Sequence, residues 1–195
     1  RVLSEIPRIL RLGLPSGVLV GLELGVFAMT GILMGLLGAD ALGAHQLVLN
    51  VASLSFMVPL GLGQAATVRV AYQLGLGVPA AARRAAYIAV ALGAAFMSVT
   101  AMLLLTLPRT IASAYVALDD PANAALLAIA VQLFVIAAIF QIFDGVQVIA
   151  VGALRGYRDT GVPMLLAAIG YWAIGFAGSW LLAFPLGLGP VGLWL

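Results

Sequence analysis

The chain has 195 residues, of which 64% are hydrophobic and 8% are charged, and its mean hydropathy is +1.19. A water-soluble domain of this size does not tolerate such a composition, so we expect the chain to lie in a lipid bilayer. The absence of cysteine excludes disulfides and thiolate metal sites. The net charge is only +2, and its nine basic residues, all arginine, lie mostly between apolar segments, which argues against nucleic acid as a partner.

Five apolar segments reach the roughly 20 residues that a transmembrane helix needs. Backbone groups in lipid must be hydrogen-bonded internally, so we expect each segment to be a helix. They run from Gly13 to Leu37, Leu42 to Leu74, Arg84 to Leu107, Ala122 to Leu154 and Val162 to Ala183, and a sixth begins at Val191. The predicted fold class is an all-α integral membrane protein, a polytopic bundle of about five complete transmembrane helices plus the start of a sixth.

The arginines predict the orientation of these helices. With the N-terminus inside, only Arg109 falls outside, and the positive-inside rule therefore places the N-terminus of the chain in the cytoplasm. The arginines on the cytoplasmic side are then Arg1, Arg8, Arg11, Arg69, Arg83, Arg84, Arg155 and Arg158. No signal peptide is predicted, because the charged N-terminal residues lead into a full-length span.

Two lone carboxyl groups, Glu23 and Asp144, interrupt the first and fourth spans. Counted from Arg11 and Arg155 at about 1.5 Å per residue, both lie roughly 16–18 Å from a charged end, near the bilayer midplane. An ionisable group there costs about 3 kcal/mol and usually faces a cavity, a partner or an ion path. Two such groups predict a site for a cation, although Glu23 has an alternative interpretation as a structural hydrogen bond between helices.

Polar residues recur on one face of several helices. On the first helix Ser16, Glu23 and Thr30 lie roughly opposite a ridge of glycines at every fourth position from Gly13 to Gly25, which predicts close packing of a neighbouring helix. The second and fourth helices carry further polar or adaptable side chains, and these line a cavity or join helices: Gln46, Asn50, Ser53, Met57, Gln64, Gln141 and Gln147.

Other residues have two interpretations that the sequence leaves open. His45 near the end of the second helix is a packing residue or a proton carrier. Tyr171, Trp172 and Trp180 are packing and interface anchors or stack on a ligand. Pro59 predicts a bendable point in the second helix. The chain has no nucleophile–base pair or cofactor motif, so we do not expect an enzyme or a bound cofactor.

Three segments carry a resemblance to a known family: RLGLPSGVLVGLELGVFA, GADALGAHQLVLNVASLSFMVPLGLGQAATVRV and FQIFDGVQVIAVGALRGYRDTGVP. Together they resemble the carboxyl-terminal half of a multidrug and toxic compound extrusion (MATE) transporter of the NorM-like branch. The resemblance implies two six-helix bundles around a cleft. Residues 1–195 would form the carboxyl-terminal bundle, and the amino-terminal bundle and most of the last helix would be absent.

The resemblance also implies a function, the export of lipophilic organic cations in exchange for H⁺ or Na⁺ across the bacterial inner membrane. In NorM-like relatives, the acids that match Glu23 and Asp144 take part in binding the coupling cation or the drug. The resemblance therefore implies a candidate Na⁺ site at these two acids. Relatives often have a tyrosine at the position of Phe140, and its loss favours protons. Met57, Phe140 and Phe143 are expected to contact ligands. The alternatives are a lipid-linked oligosaccharide flippase, which would need basic groups in the cavity, and a non-transporting membrane subunit.

Overall fold

A computed structural model describes residues 2–195, apart from the side chains of 2–5, 8, 9, 11 and 12. The described backbone contains helices and no strand. The helices are α1 (Val2–Leu36), α2 (Ala39–Gly75), α3 (Pro79–Thr106), α4 (Pro108–Ala112), α5 (Ala124–Gly156), α6 (Gly161–Ala167), α7 (Ala177–Ala183) and α8 (Gly189–Gly192). A 3-10 turn, Pro121–Asn123, precedes α5, and a π-helical segment, Ala168–Phe176, joins α6 to α7.

Five helical stretches of the described chain are long and apolar enough to cross a membrane. They are Gly13–Leu36, Ala39–Gly75, Pro79–Thr106, Pro121–Gly156 and Gly161–Ala183. The predicted fold class is confirmed, and each span agrees with its predicted position. Arg1 and the side chains of Arg8 and Arg11, which contributed to the predicted orientation, lie outside the described part.

Helices α2, α3 and α5 form a tightly packed layer. Close to the end of α5 that carries Arg155, the α2 and α5 backbones touch: a Cβ atom on Gly152 would lie 2.3 Å from the carbonyl oxygen of Gly63. The Thr67 hydroxyl donates across the same contact, 2.7 Å from the carbonyl oxygen of Gly152. At the opposite end, a buried cluster around Phe134 includes Ala112 of α4 and Ala44 of α2. Small residues therefore allow three helices to pack at short distance.

A second layer consists of α1, α6, the π segment and α7. Within this layer, the indole Nε1 of Trp172 in the π segment donates a hydrogen bond to the carbonyl oxygen of Leu22 in α1, 3.1 Å away. Most of the glycine ridge has no neighbour among the described residues, since Cβ atoms at Gly13, Gly17 and Gly21 would meet nothing within 4 Å. Close packing at these three positions stays a prediction. The ridge faces away from the other helices because the opposite, polar face of α1 is turned into the bundle. Of the four ridge glycines, only Gly25 has a close neighbour: an added Cβ atom would lie 3.0 Å from the indole ring of Trp172.

Helix α2 is continuous through Pro59, which is buried. A Cβ atom on Gly145 of α5 would lie 3.2 Å from the proline ring and 2.6 Å from Met97 of α3. Pro59, which weakens the helix by removing a backbone hydrogen bond, therefore lies where α3 and α5 pack closely. This packing lies beside Asp144, one residue before Gly145 in the chain.

Candidate cation-binding cavity

Glu23 and Asp144 lie on different layers and both line a cavity of about 310 Å³. Glu23 comes from α1 and Asp144 from α5. The sequence placed both acids at the same depth, and the structure brings them to one cavity. An arrangement of two acids beside an internal space suits a cation, because each negative charge can be neutralised by a proton or by the ligand.

The wall of this cavity is mainly apolar. Of the residues predicted to line it, four do so: Ser53, Met57, Phe140 and Gln141. Phe27, Phe56 and Trp194 add aromatic surface. Aromatic rings attract cations through their faces, and methionine adapts to ligands of different shape. The cavity thus combines a negative pole with an apolar body, which suits an amphipathic cation.

A neighbouring cavity of about 280 Å³ shares both acids and extends to the end of the bundle that carries Arg155. Gln64 and Gln147 line it, so the polar faces of α2 and α5 converge here. Arg155 also borders this space, and its buried Nε atom has no hydrogen-bond partner among the described residues. The predicted fourth span ended at Leu154, whereas α5 continues to Gly156 and Arg155 borders the cavity.

The π segment contributes a site residue that sequence analysis treated mainly as a packing anchor. The Tyr171 hydroxyl and the Gln147 side-chain amide form a hydrogen bond, in which Nε2 of Gln147 donates. Tyr171 also lines a third space, of about 170 Å³, together with Glu23 and Thr30. A π-helical turn is a frequent mark of a functional site. Periodicity at 3.6 residues does not reveal such a turn, so the orientation of Tyr171 was not predictable from the pattern.

Three other predicted residues lie elsewhere. Gln46 borders a separate space of about 500 Å³ between α1 and α2. Asn50 accepts a hydrogen bond from the Tyr115 hydroxyl, 2.7 Å away, in the segment that follows α4. Phe143 is 72% exposed and is not among the residues that line this cavity, so its contact with a ligand stays a prediction. Phe143 immediately precedes Asp144, and consecutive helical residues are separated by 100°.

His45 is buried and accepts a hydrogen bond at Nδ1 from the indole Nε1 of Trp194, 3.1 Å away. Because an indole nitrogen only donates, the ring proton of His45 lies on Nε2. That nitrogen has no partner among the described residues. The arrangement holds a neutral imidazole and favours the packing interpretation of His45 over that of a proton carrier.

The donors available for Na⁺ are oxygens. Among the residues whose side chains are described, no group of three or more His, Asp or Glu forms a metal cluster. Besides the two carboxyl groups, the Gln147 amide oxygen and the Tyr171 hydroxyl lie at the edge of the site. A hard cation is bound by such oxygens. The donor chemistry therefore fits Na⁺ as well as H⁺.

The fold and the cavity define a class: a multi-pass helical membrane protein with acidic groups around an internal cavity. The MatE family profile matches residues 15–181. The match covers more than half of the chain, and the chain therefore belongs to the MatE family, as the sequence resemblance implied.

Curated relatives agree with this assignment. The chain is 54% identical over 183 residues to the multidrug resistance protein NorM of Burkholderia vietnamiensis, covering 94% of this chain and 40% of that protein. It is 46% identical over 195 residues to a probable multidrug resistance protein NorM of Mesorhizobium japonicum, covering 98% and 42%. The chain thus spans about two fifths of the length of these relatives.

Solved structures show the same fold. A crystal structure of a eukaryotic MATE transporter superposes with a TM-score of 0.87 at 22% identity, covering 98% of this chain and 42% of that one. An outward-facing MATE transporter gives a TM-score of 0.81 at 19% identity, covering 95% and 40%. At these identities the similarity establishes the fold alone.

Proposed function

We propose that this chain is the carboxyl-terminal bundle of a multidrug efflux antiporter that exports lipophilic organic cations in exchange for H⁺ or Na⁺. The observation that carries the proposal is the pair of carboxyl groups, Glu23 and Asp144, at one apolar cavity. The names of the NorM relatives support multidrug transport. An amino-terminal bundle of the same transporter would be the missing partner, since the relatives are more than twice as long as this chain.

The exchange follows from competition at the two acids. Surroundings poor in water favour the neutral, protonated form of a carboxyl group. An organic cation or Na⁺ stabilises the ionised form and displaces the proton. On the other side of the membrane, protonation of the same groups releases the bound cation. Because one site serves both ligands in turn, the downhill movement of one ion drives the uphill movement of the other.

We favour the proton as the coupling ion. Phe140, one helical turn before Asp144, carries no oxygen, so α5 offers only Asp144 and its amide neighbours on this face. Na⁺ needs several oxygens to replace its hydration shell, whereas a proton needs one carboxylate. The oxygens of Tyr171 and Gln147 keep Na⁺ as the competing candidate.

The direct test is efflux by the complete transporter reconstituted into proteoliposomes, with a pH gradient or a Na⁺ gradient imposed separately. We expect a proton gradient to drive efflux of a lipophilic cation and Na⁺ to have little effect. Efflux that persists without the proton gradient and stops when Na⁺ is withdrawn would assign the coupling to Na⁺. Absence of efflux under both gradients would favour a non-transporting subunit.

We further propose that the N-terminus of the chain is cytoplasmic, in the inner membrane of a bacterium. Ala80, in the first turn of α3, and Asp120, before α5, are both exposed and lie at opposite ends of the bundle. A cysteine at Ala80 should react with an impermeant reagent only after the cells are opened, and one at Asp120 in intact cells. Labelling of the Ala80 position in intact cells would reverse the orientation.

A further inference from the structure

Gln141 has an unsatisfied amide in the interior of the bundle. Its side chain is 2% exposed, and neither Oε1 nor Nε2 has a hydrogen-bond partner among the described residues. Buried side-chain amides are nearly always hydrogen-bonded, because losing water without gaining a partner is unfavourable. The amide oxygen of Gln141 therefore lacks the donor that a buried acceptor normally has.

Gln141 borders the cavity that holds the two acids, and this space can supply a partner. Gln141 lines the 310 Å³ space together with Glu23 and Asp144, and it lies one helical turn before Asp144 on α5. Since Gln141 is already buried by this chain alone, a side chain of another polypeptide does not reach it without filling the cavity. The partner is then a small group inside the cavity, either water or part of a bound ligand.

We propose that Gln141 is a specificity-determining residue whose amide oxygen accepts a hydrogen bond from an N–H group of the bound cation. The inference rests on the proposed function and adds a ligand class to it: protonated primary, secondary and tertiary amines. The carboxylates of Glu23 and Asp144 respond to positive charge of any kind. An amide acceptor is directional, and a quaternary ammonium ion has no N–H to offer it.

The physical basis is the cost of an unpaired group. A site built to pair with an N–H discriminates against an analogue without one, because the buried acceptor is then left unsatisfied. An ordered water on Gln141 is the competing explanation. Such a water would stay paired with Gln141 whichever cation was bound. Replacing Gln141 would then leave the relative affinity for the two kinds of cation unchanged.

The test uses the purified complete transporter and two cations of nearly equal shape. One is protonated N,N-dimethyl-(2-naphthylmethyl)amine, with a single N–H, and the other is its N-methylated quaternary salt. Equilibrium binding is followed by naphthalene fluorescence. We expect the wild type to bind the protonated amine about tenfold more tightly. Gln141→Leu should remove this preference by lowering the affinity for the protonated amine. The affinity for the quaternary ion should stay within about twofold of the wild type.

Two further variants make the result specific. Gln141→Met keeps the length of the side chain and removes the amide, so it should behave as Gln141→Leu does. Gln132→Leu makes the same change at an exposed position of α5 and should keep the preference. Because an unsatisfied amide is removed, the ligand-free Gln141 variants should melt no lower than the wild type.

The outcomes separate the two proposals. If both cations bind and the preference is absent or survives in the Gln141 variants, this inference is wrong while the proposed function stands. If neither cation binds to the wild type, the proposed function fails and the inference with it. Failure of both Gln141 variants to fold would show that the amide has a structural partner, which also contradicts the inference.

Discussion

The two layers that form the cavity differ in how closely their helices approach. Between α2 and α5 the backbones meet at Gly63 and Gly152, and a third helix packs against them at Gly93 and Gly145. Along the glycine ridge of α1, by contrast, three of the four positions have open space on their outer side. Asp144 thus belongs to a layer whose helix backbones touch, and Glu23 belongs to a helix whose glycine ridge is open within the described chain.

This difference bears on the proposed exchange. Two acids on one packed layer could change their separation only by side-chain rotation, since packed interiors resist small displacements. Glu23 and Asp144 belong to different layers. A shift of α1 relative to α5 would therefore change the separation of the two carboxyl groups.

The largest effect should come from Gly152→Ala. The new methyl group would overlap the Gly63 carbonyl, and neither backbone can move without separating α2 from α5. We expect a loss of about 3 kcal/mol in stability, measured by thermal unfolding of the purified complete transporter. Gly17→Ala on the ridge is the matched change and should be neutral or slightly stabilising. Equal damage from both substitutions would contradict the contrast between the layers.

A smaller effect is expected from Thr67→Val. This substitution keeps the shape of the side chain and removes the hydroxyl that bonds the Gly152 carbonyl oxygen. Hydrogen bonds between membrane helices contribute about 0.6–1.7 kcal/mol, so the unfolding temperature should fall measurably and by less than for Gly152→Ala. Ser98→Ala, which removes an exposed hydroxyl bonded within its own helix, is the control and should have no effect.

The smallest change in global stability is expected from Trp172→Phe. It removes the N–H that donates to the Leu22 carbonyl, one residue before Glu23, and the part of the indole ring that lies against Gly25. The hydrogen bond alone accounts for about 0.6 kcal/mol. The effect should be local, with faster amide hydrogen exchange in residues 13–30 of α1 and unchanged exchange in α5. Faster exchange in α5 as well would show that the two layers respond as one unit.

The sequence was sufficient for the spans, because a bilayer requires long apolar helices and the chain contains five of them. Because helical rise is constant, it also predicted one depth for Glu23 and Asp144, and both acids line one cavity. The sequence did not identify which helix packs against each face of α1. The ridge of Gly13, Gly17 and Gly21 has a packing pattern, yet no described helix of this chain lies against it.

Two further features lay beyond the sequence for a different reason. The hydrogen bond between Tyr171 and Gln147 depends on a π-helical register, which changes the direction of a side chain without leaving a periodic signal. The pairing of His45 with Trp194 joins residues far apart in the chain, and one sequence gives no measure of such contacts. Both contacts depend on tertiary packing. The local sequence pattern determines where a helix forms, and packing then determines which way its side chains point.

The measurement that tests the central claim most directly is proton-driven efflux of a lipophilic cation by the complete transporter carrying Glu23→Gln or Asp144→Asn. Asp40→Asn, at the exposed first turn of α2, is the matched control. We predict that each cavity variant loses at least about tenfold in efflux at unchanged membrane expression, while the control transports normally. Near-normal efflux by both cavity variants would contradict the account and leave the two acids a structural role.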